Sequence, residues 1–408
     1  MDQLLNRFLR YVAVDTQSSE ESTASPTTAK QHDLAKVLTE ELRQMGASDV
    51  FYDDVHCYVY AKIPSTDGGK QTKVKGFLAH MDTSPEVTDT NVKARVVRDY
   101  DGGDIVLNEE GPIVMKTEDF PELRELAGKS LVVTDGTTLL GADDKAGVAE
   151  IMTMAAYLLA HPEILHGEVS ICFTPDEEVG AGVDYIDLEK LGADVAYTVD
   201  GGKLGELEYE CFNAAAATVT ITGRSVHPGS AKDKMINAAR VALELDAMIP
   251  ASERPETTEG YEGFFHLTHM EGETEKASIS YIIRDHDKAR FLEKKSRMEA
   301  MTAKLNERYG EGTALLTMKD SYYNMKEVIE QGNLFLVEDA KAAMEELGIV
   351  PLVQPIRGGT DGARLSFMGV PCPNLCTGGG NFHSRFEYAC VESMESIVKL
   401  LIALATRG

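Results

Sequence analysis

The sequence predicts an α/β protein in which a doubly wound, mostly parallel sheet is interrupted by an inserted domain of another kind. Strand-like apolar runs alternate with helical patterns from about residue 57 to residue 200, as is typical of βαβ units around a parallel sheet. From about residue 209 the order becomes β-α-β-β-α-β, the split unit of a ferredoxin-like sandwich. We therefore expect one domain of residues 1–208 and 321–408 and an inserted ferredoxin-like α+β domain of residues 209–320.

The composition indicates a globular protein with a strongly acidic surface. The chain has 408 residues, of which 43% are apolar, enough for more than one hydrophobic core. Its 67 acidic and 40 basic residues give a net charge of −27, which repels phosphate backbones and anionic lipid headgroups. The longest apolar runs fall short of the ~20 residues that a bilayer requires. We therefore expect no nucleic acid and no membrane among its partners.

The first residues differ from a secretory leader. Leu4, Leu5, Phe8 and Val12 recur at helical spacing, and an acid directly follows Met1. This pattern favours a cytoplasmic protein. The six cysteines are scattered without a CxxC pair, so we expect reduced thiols in the core.

A histidine and an acid follow the predicted strand of residues 74–79. Residues i and i+2 of an extended chain point to the same side, so His80 and Asp82 should emerge together at the strand end. A histidine that binds a metal usually donates its other ring N–H to a carboxylate, and Asp82 is placed for that role. An ordinary surface His-Asp pair explains the same pattern.

Two adjacent acids precede the next clear helix. Residues 86–128 are polar and lack long periodic runs, so we expect an excursion that overhangs a site. The chain then returns to Gly141-Ala142-Asp143-Asp144, followed by a helical pattern over residues 148–160. A helix N-cap explains one of these acids, but capping does not require two.

Acids also follow two further predicted strands. The run Ile171-Cys172-Phe173 ends in Thr-Pro and is followed by Glu177 and Glu178, and a second apolar strand ends at Asp200. In open α/β sheets the ligand crevice lies outside the carboxyl ends of the strands. Paired carboxylates there would carry chemistry, although an isolated Glu-Glu pair is more often a surface feature.

The last such position is His383, in a glycine-rich loop near the C-terminus. A flexible glycine backbone lets a side chain approach a ligand closely, although a turn histidine without a function is the plainer alternative. As a set, two histidines and three carboxylates at one rim of the sheet predict a two-metal site. The proposed ligands are His80, Asp143, Glu178, Asp200 and His383.

One carboxylate must bridge the two metals. If Asp143 does so, each metal receives a histidine, a terminal carboxylate and half of the bridge, which leaves a position for water. Four positive charges against three negative ones favour a bound hydroxide at neutral pH. Glu177, adjacent to a ligand but uncoordinated, would take the proton from that water and deliver it to the leaving amine.

The ordered motifs resemble those of the di-zinc aminoacylase/carboxypeptidase family, and the resemblance extends over the whole chain. Within that family the chain is similar over its whole length to members that release the N-terminal residue of tripeptides. The motifs are His80-Met81-Asp82, Gly141-Ala142-Asp143-Asp144-Lys145, Asp176-Glu177-Glu178, Val199-Asp200-Gly201-Gly202, residues 223–229, Arg357-Gly358-Gly359-Thr360-Asp361 and Phe382-His383.

The resemblance implies two Zn²⁺ per subunit, with Co²⁺ or Mn²⁺ as substitutes, held by the five predicted ligands with Asp143 bridging. It implies acid/base catalysis by Glu177 and an orienting role for Asp82. The inserted domain corresponds to the family's lid, which commonly forms a homodimer. His227 would help polarise the scissile carbonyl, and it can act only if the lid closes or a partner subunit supplies it.

Two arginines are candidates for binding the substrate. Arg284, at the end of a predicted lid strand, could bind the terminal carboxylate of a peptide with two hydrogen bonds, and Arg357 is a second candidate. Ordinary surface ion pairs explain both equally well. The resemblance thus implies an aminopeptidase acting on tripeptides. A deacylase, dipeptidase or carboxypeptidase of the same family is the alternative, and a non-catalytic metal-binding protein is disfavoured because it has no use for Glu177.

Overall fold

The chain divides into two compact units in a computed structural model that describes residues 2–111 and 113–407. The first unit comprises Met1–Tyr209, Glu327–Gln354 and Thr360–Gly408, and the second comprises Glu210–Lys326 and Pro355–Gly359. The second unit thus extends past residue 320, where the sequence places the end of the insertion, and takes in a short later segment.

The α-helices are numbered in chain order. They span Asp2–Val12 (α1), Gln31–Met45 (α2), Ala142–Ala160 (α3), Leu188–Leu191 (α4), Ala238–Asp246 (α5), Lys288–Tyr309 (α6), Lys326–Glu330 (α7), Phe335–Glu346 (α8), Asp361–Phe367 (α9) and Val391–Thr406 (α10). Every helix in the described part of the chain is too short or too polar to span a lipid bilayer.

The β-strands are also numbered in chain order. They span Ser48–Tyr52 (β1), Val59–Ile63 (β2), Lys75–His80 (β3), Arg95–Val97 (β4), Ile105–Asn108 (β5), Ile113–Met115 (β6), Leu131–Val133 (β7), Val169–Thr174 (β8), Val195–Gly201 (β9), Glu206–Glu208 (β10), Asn213–Thr222 (β11), Phe264–Gly272 (β12), Lys276–Asp285 (β13), Ala314–Tyr322 (β14), Leu352–Val353 (β15), Asn374–Cys376 (β16), Gly379–Gly380 (β17) and Tyr388–Cys390 (β18).

The first unit is built on an eight-stranded sheet with helices on both faces. Its strand order is β1-β2-β8-β3-β9-β16-β10-β15, and the central strands β8, β3, β9 and β16 are parallel. Alternate residues of β3 enter opposite cores: Phe77 packs with α1, α2, α3 and α10, whereas Leu78 packs with α4 and α9. This arrangement confirms the predicted doubly wound α/β fold.

The central strands end at one edge of this sheet. All six residues of β3 and all six of β8 are buried, because helices cover both faces, and this burial explains their nearly continuous apolar sequences. In the parallel register, His80 pairs with Thr174. The histidine at the end of β3 therefore lies beside the turn that carries Glu177 and Glu178.

Helix α3 packs unusually close to β9. A Cβ atom added to Gly147 would lie 2.0 Å from the carbonyl oxygen of Val199, so only glycine fits there. Gly141, just before the helix, has a φ of +79°, a left-handed conformation that glycine adopts without strain. The first turn of α3, with Asp143, is thereby held near the end of β9, with Asp200.

The segment of residues 86–128 is more regular than the sequence predicts. It contains β4, β5, β6 and a short 3₁₀ helix at Pro121–Leu126, and a small core that includes Tyr100, Leu107 and Met115. Strand β4 belongs to a four-stranded sheet with the strand order β17-β18-β7-β4. This sheet supports both ends of the loop that carries His383.

The second unit is an antiparallel sheet with two helices packed on it. Its strand order is β12-β13-β11-β14, and α5 and α6 contribute Leu245, Phe291 and Met298 to its core. This order is the one that a β-α-β-β-α-β chain adopts in a ferredoxin-like sandwich, as the sequence predicts.

Candidate metal centre

The structure brings the five predicted ligands together in the first unit. Two come from strand ends, one from the first turn of a helix, one from a 3₁₀ turn and one from a loop between two short strands. In that order they are His80 on β3, Asp200 on β9, Asp143 on α3, Glu178 in the turn Glu177–Val179 after β8, and His383 between β17 and β18.

These side chains form two groups that share Asp143. His80, Asp143 and Asp200 form one group, and Asp143, Glu178 and His383 form the other; within each, one donor atom per residue lies within 4.8 Å of the others. The Nε2 atom of His80 lies 3.0 Å from Asp143 and 3.3 Å from Asp200. The Nε2 atom of His383 lies 2.9 Å from Glu178 and 3.2 Å from Asp143.

Asp82 connects the first histidine to the turn after β8. Its Oδ1 atom lies 3.3 Å from Nδ1 of His80 and accepts the backbone N–H of Glu177 at 3.0 Å. Its Oδ2 atom accepts the backbone N–H of Glu178 at 3.2 Å. Asp82 is completely buried. The Nδ1 atom of His80 also lies 3.0 Å from the backbone carbonyl oxygen of Asp82. Asp82 therefore orients the His80 ring through its carbonyl and carboxylate groups, and its carboxylate holds the turn that bears the proposed base.

The same turn is held from its other side by the N-terminal segment. Asp176 has a φ of +54°, which is uncommon for a residue with a side chain. Its carboxylate accepts hydrogen bonds from the backbone N–H and hydroxyl of Thr27 and from the side-chain amide of Gln31, the last at 2.6 Å. These contacts compensate for the strained backbone directly before Glu177.

Two further buried acids accept backbone N–H groups next to the predicted ligands, a role that the sequence does not predict for either. The buried carboxylate of Glu387 accepts the backbone N–H groups of Leu140 and Gly141 at 2.7 Å and of Asp143 at 2.9 Å. Asp144, also buried, accepts the backbone N–H of His80 at 3.1 Å. The sequence hints at a buried role for Glu387 only by its position within the otherwise apolar run of residues 386–390.

Comparison with known proteins identifies the family. Peptidase T of Alkaliphilus oremlandii (strain OhILAs) is 53% identical over 405 residues, which cover 99% of this chain and 98% of that protein. Peptidase T of Clostridium novyi (strain NT) is 54% identical over 404 residues, with the same coverage. The chain belongs to the peptidase T family. In addition, a family model described as a peptidase dimerisation domain matches residues 209–313.

Solved structures share the fold of this peptidase T family member. The aminopeptidase PepT of Bacillus cereus superimposes with a TM-score of 0.77 at 24% identity, covering 99% of this chain and 98% of that one. A dinuclear metal-binding peptidase of the M20 family from Bacillus subtilis gives a TM-score of 0.65 at 13% identity, covering 99% and 97%. Both likenesses concern the fold.

The charges of the site act strongly on each other. Burial raises the pKa of Glu178 to about 8 and that of Asp200 to about 6. Burial disfavours the charged form of His383, but hydrogen bonds to Asp143 and Glu178 outweigh it and raise the pKa of His383 to about 11. The pKa of His80 is likewise raised well above its usual value, because the charge of Asp200 outweighs burial. The carboxylates therefore favour the positively charged forms of both histidines.

The three predicted substrate-binding residues lie in the second unit. The Nδ1 atom of His227 accepts the backbone N–H of Gly229 at 3.1 Å. Arg357 donates to the carbonyl oxygens of Gly260 and Glu262, so its guanidinium already has partners in this unit. Arg284 donates to the carbonyl oxygen of Arg357 at 3.2 Å, and its buried Nε atom has no hydrogen-bond partner among the described residues. Their contact with a substrate stays a prediction.

Proposed function

We propose that the protein is a metal-dependent aminopeptidase that removes the N-terminal residue of tripeptides. The observation that carries this proposal is the convergence of two histidines and three carboxylates around a shared Asp143, with Glu177 next to a ligand but outside both groups. Peptidase T relatives that are 53% identical over the full length support the peptidase activity. A Staphylococcus aureus structure of the same fold, with a TM-score of 0.77, is described as a tripeptidase.

We propose two Zn²⁺ per subunit as the cofactor, with Co²⁺ or Mn²⁺ as substitutes. Imidazole nitrogens and carboxylate oxygens are common zinc ligands, and each group offers one histidine and two carboxylates. The buried Oε1 atom of Glu178 has no hydrogen-bond partner in the described part of the chain, as expected of an oxygen that binds a metal ion. When bound, the two cations supply positive charge that polarises a carbonyl group and lowers the pKa of water.

Glu177 is the proposed proton carrier. Burial raises the pKa of Glu177 well above its usual value, and the charge of Asp200 adds to the effect. A carboxylate with a raised pKa takes a proton from the attacking water and holds it long enough to pass it to the leaving amine. Asp82 and Asp176 hold the backbone on either side of Glu177 and so keep its carboxylate in one position.

A substrate panel tests this proposal. The zinc-loaded protein should hydrolyse Ala-Ala-Ala with release of the N-terminal alanine, and it should be at least ~10-fold slower on N-acetyl-Ala-Ala-Ala, on Ala-Ala and on longer peptides. Equal rates on the acetylated tripeptide would contradict an aminopeptidase and favour a carboxypeptidase or deacylase. Preference for Ala-Ala would favour a dipeptidase. Mass spectrometry of the products identifies the bond that is cleaved.

We also propose that the protein is a homodimer that forms through its second unit and degrades short peptides in the cytoplasm. The match of residues 209–313 to a peptidase dimerisation domain supports the dimer. All six cysteines are buried, and the described residues contain no disulfide bond, as is usual in proteins of a reducing compartment. Sedimentation velocity at micromolar concentration should give the mass of two chains, and the mass of one chain would contradict the dimer.

A further inference from the structure

In the candidate metal centre, an acid of one loop lies near the Nδ1 atom of each histidine. The ring of His80 directs Nε2 to the ligand carboxylates, and its Nδ1 atom lies 3.0 Å from the backbone carbonyl oxygen of Asp82 and 3.3 Å from the Asp82 carboxylate. The ring of His383 also directs Nε2 to the ligand carboxylates, and its Nδ1 atom lies 3.3 Å from Oε2 of Glu86. Asp82 and Glu86 both belong to the loop that leaves β3.

This loop is anchored to the N-terminal segment on both sides of Glu86. The side-chain amide of Gln17 donates to the carbonyl oxygens of Ser84 at 3.1 Å and of Val87 at 3.0 Å. The backbone N–H of Ser18 donates to the carbonyl oxygen of Thr83 at 3.1 Å. The backbone of Glu86 is thus fixed, although 58% of its side chain is exposed.

His383 requires such a partner more than His80 does. The His80 side chain is 2% exposed and enclosed by packing, whereas that of His383 is 42% exposed. His383 also has a φ of +57°, a conformation that side-chain-bearing residues rarely adopt. A ring in an exposed loop loses rotational freedom when it binds a metal, and a carboxylate on its free N–H reduces that loss and fixes the tautomer.

We propose that Glu86 is a positioning residue that orients His383 and thereby sets the affinity of one of the two metals. The inference rests on the proposed metal-dependent function, because it assigns to Glu86 the role at His383 that Asp82 has at His80. An exposed ion pair contributes little to folding. Replacement of Glu86 should therefore change metal binding without a loss of the folded state.

A zinc titration tests this role. Metal-free wild type, Glu86→Gln, His383→Ala and Glu163→Gln are titrated with Zn²⁺ against a competing chelator. Glu163 is the matched control, because it is an exposed acid beyond the far end of α3, whose last residue, Ala160, lies about 26 Å along the helix from Asp143 at 1.5 Å of rise per residue. Thermal unfolding of the metal-free proteins checks that each variant is folded.

Wild type and Glu163→Gln should each bind two equivalents of Zn²⁺, and the affinities of Glu163→Gln should match those of the wild type. In Glu86→Gln the affinity for one equivalent of Zn²⁺ should fall about 10-fold or more, the usual effect of removing a carboxylate that contacts a metal ligand. The weakened equivalent should be the one that His383→Ala fails to bind. Unchanged affinities in Glu86→Gln, or an equal loss at both equivalents, would overturn the inference while the proposed function stands. If the wild type binds fewer than two equivalents of Zn²⁺, both the role of Glu86 and the proposed two-metal function are wrong.

Discussion

The Oδ1 atom of Asp82 accepts the backbone N–H of Glu177 at 3.0 Å. The same carboxylate contacts His80 and the backbone of Glu178, and in Asp82→Asn an NH₂ group must face one of these donors. We expect the affinity for Zn²⁺ to fall about 10- to 100-fold, measured by chelator competition. Asp33→Asn, a change at an exposed acid of α2, is the control, and equal affinities in the two variants would contradict the role of Asp82.

Glu177→Ala should separate metal binding from turnover. Glu177 belongs to neither ligand group, so the variant should retain two metal equivalents by elemental analysis. We expect its kcat on Ala-Ala-Ala to fall at least ~10²-fold, because proton transfer by a positioned carboxylate contributes about that much. Glu163→Ala should match the wild type. Full activity with metal present would remove Glu177 from the mechanism.

Gln31→Leu should destabilise the protein through Asp176. The side chain of Gln31 is completely buried and donates to Asp176 at 2.6 Å, and leucine leaves that carboxylate with fewer donors. We expect the free energy of unfolding in urea to decrease by about 1–3 kcal/mol. Gln44→Leu, a change at an exposed position near the other end of α2, should change it by less than about 0.5 kcal/mol. Equal stability of the two variants would be evidence against this contact.

The burial of Glu150, which is not a predicted metal ligand, should make the stability of the protein depend on pH. It is completely buried on α3, neither of its carboxylate oxygens has a partner within the described ranges, and burial raises its pKa well above the usual value. Above about pH 4.3 the unfolded chain releases this proton whereas the folded protein retains it. The free energy of unfolding therefore decreases as pH rises, until pH passes the folded-state pKa of Glu150.

Glu150→Met removes this titration and keeps a side chain of similar length. We expect the gain in stability of the variant over the wild type, measured by urea unfolding, to be larger at pH 8 than at pH 5. The comparison is made between the two proteins at each pH, so the titration of other groups cancels. A gain that is the same at both pH values would show that Glu150 keeps one protonation state.

The positions of the ligands are readable in the sequence because the strands are short and buried on both faces. An apolar run such as β3 or β9 must end where the chain leaves the core, so a polar residue at that point lies at the sheet edge. The regular structure of residues 86–128 escaped prediction because β4 and β6 have three residues each, too few for a period to appear.

The supporting contacts could not be predicted because they join distant parts of the chain. Gln31 and Asp176 are 145 residues apart in sequence, and Glu387 and Gly141 are 246 apart. A buried glutamine or glutamate has many polar groups available to it, and only the folded backbone selects one. Glu86 is harder still to recognise, because an exposed acid in a loop carries no pattern.

The order of the ligands along the chain has a consequence for biosynthesis. His383 follows the other four ligands, and Glu387, which clamps the Asp143 segment, comes later still. In a nascent polypeptide, four of the five predicted ligands are therefore synthesised well before His383 and Glu387. The predicted five-ligand arrangement is therefore complete only after the segment that carries His383 and Glu387 has folded against the first turn of α3.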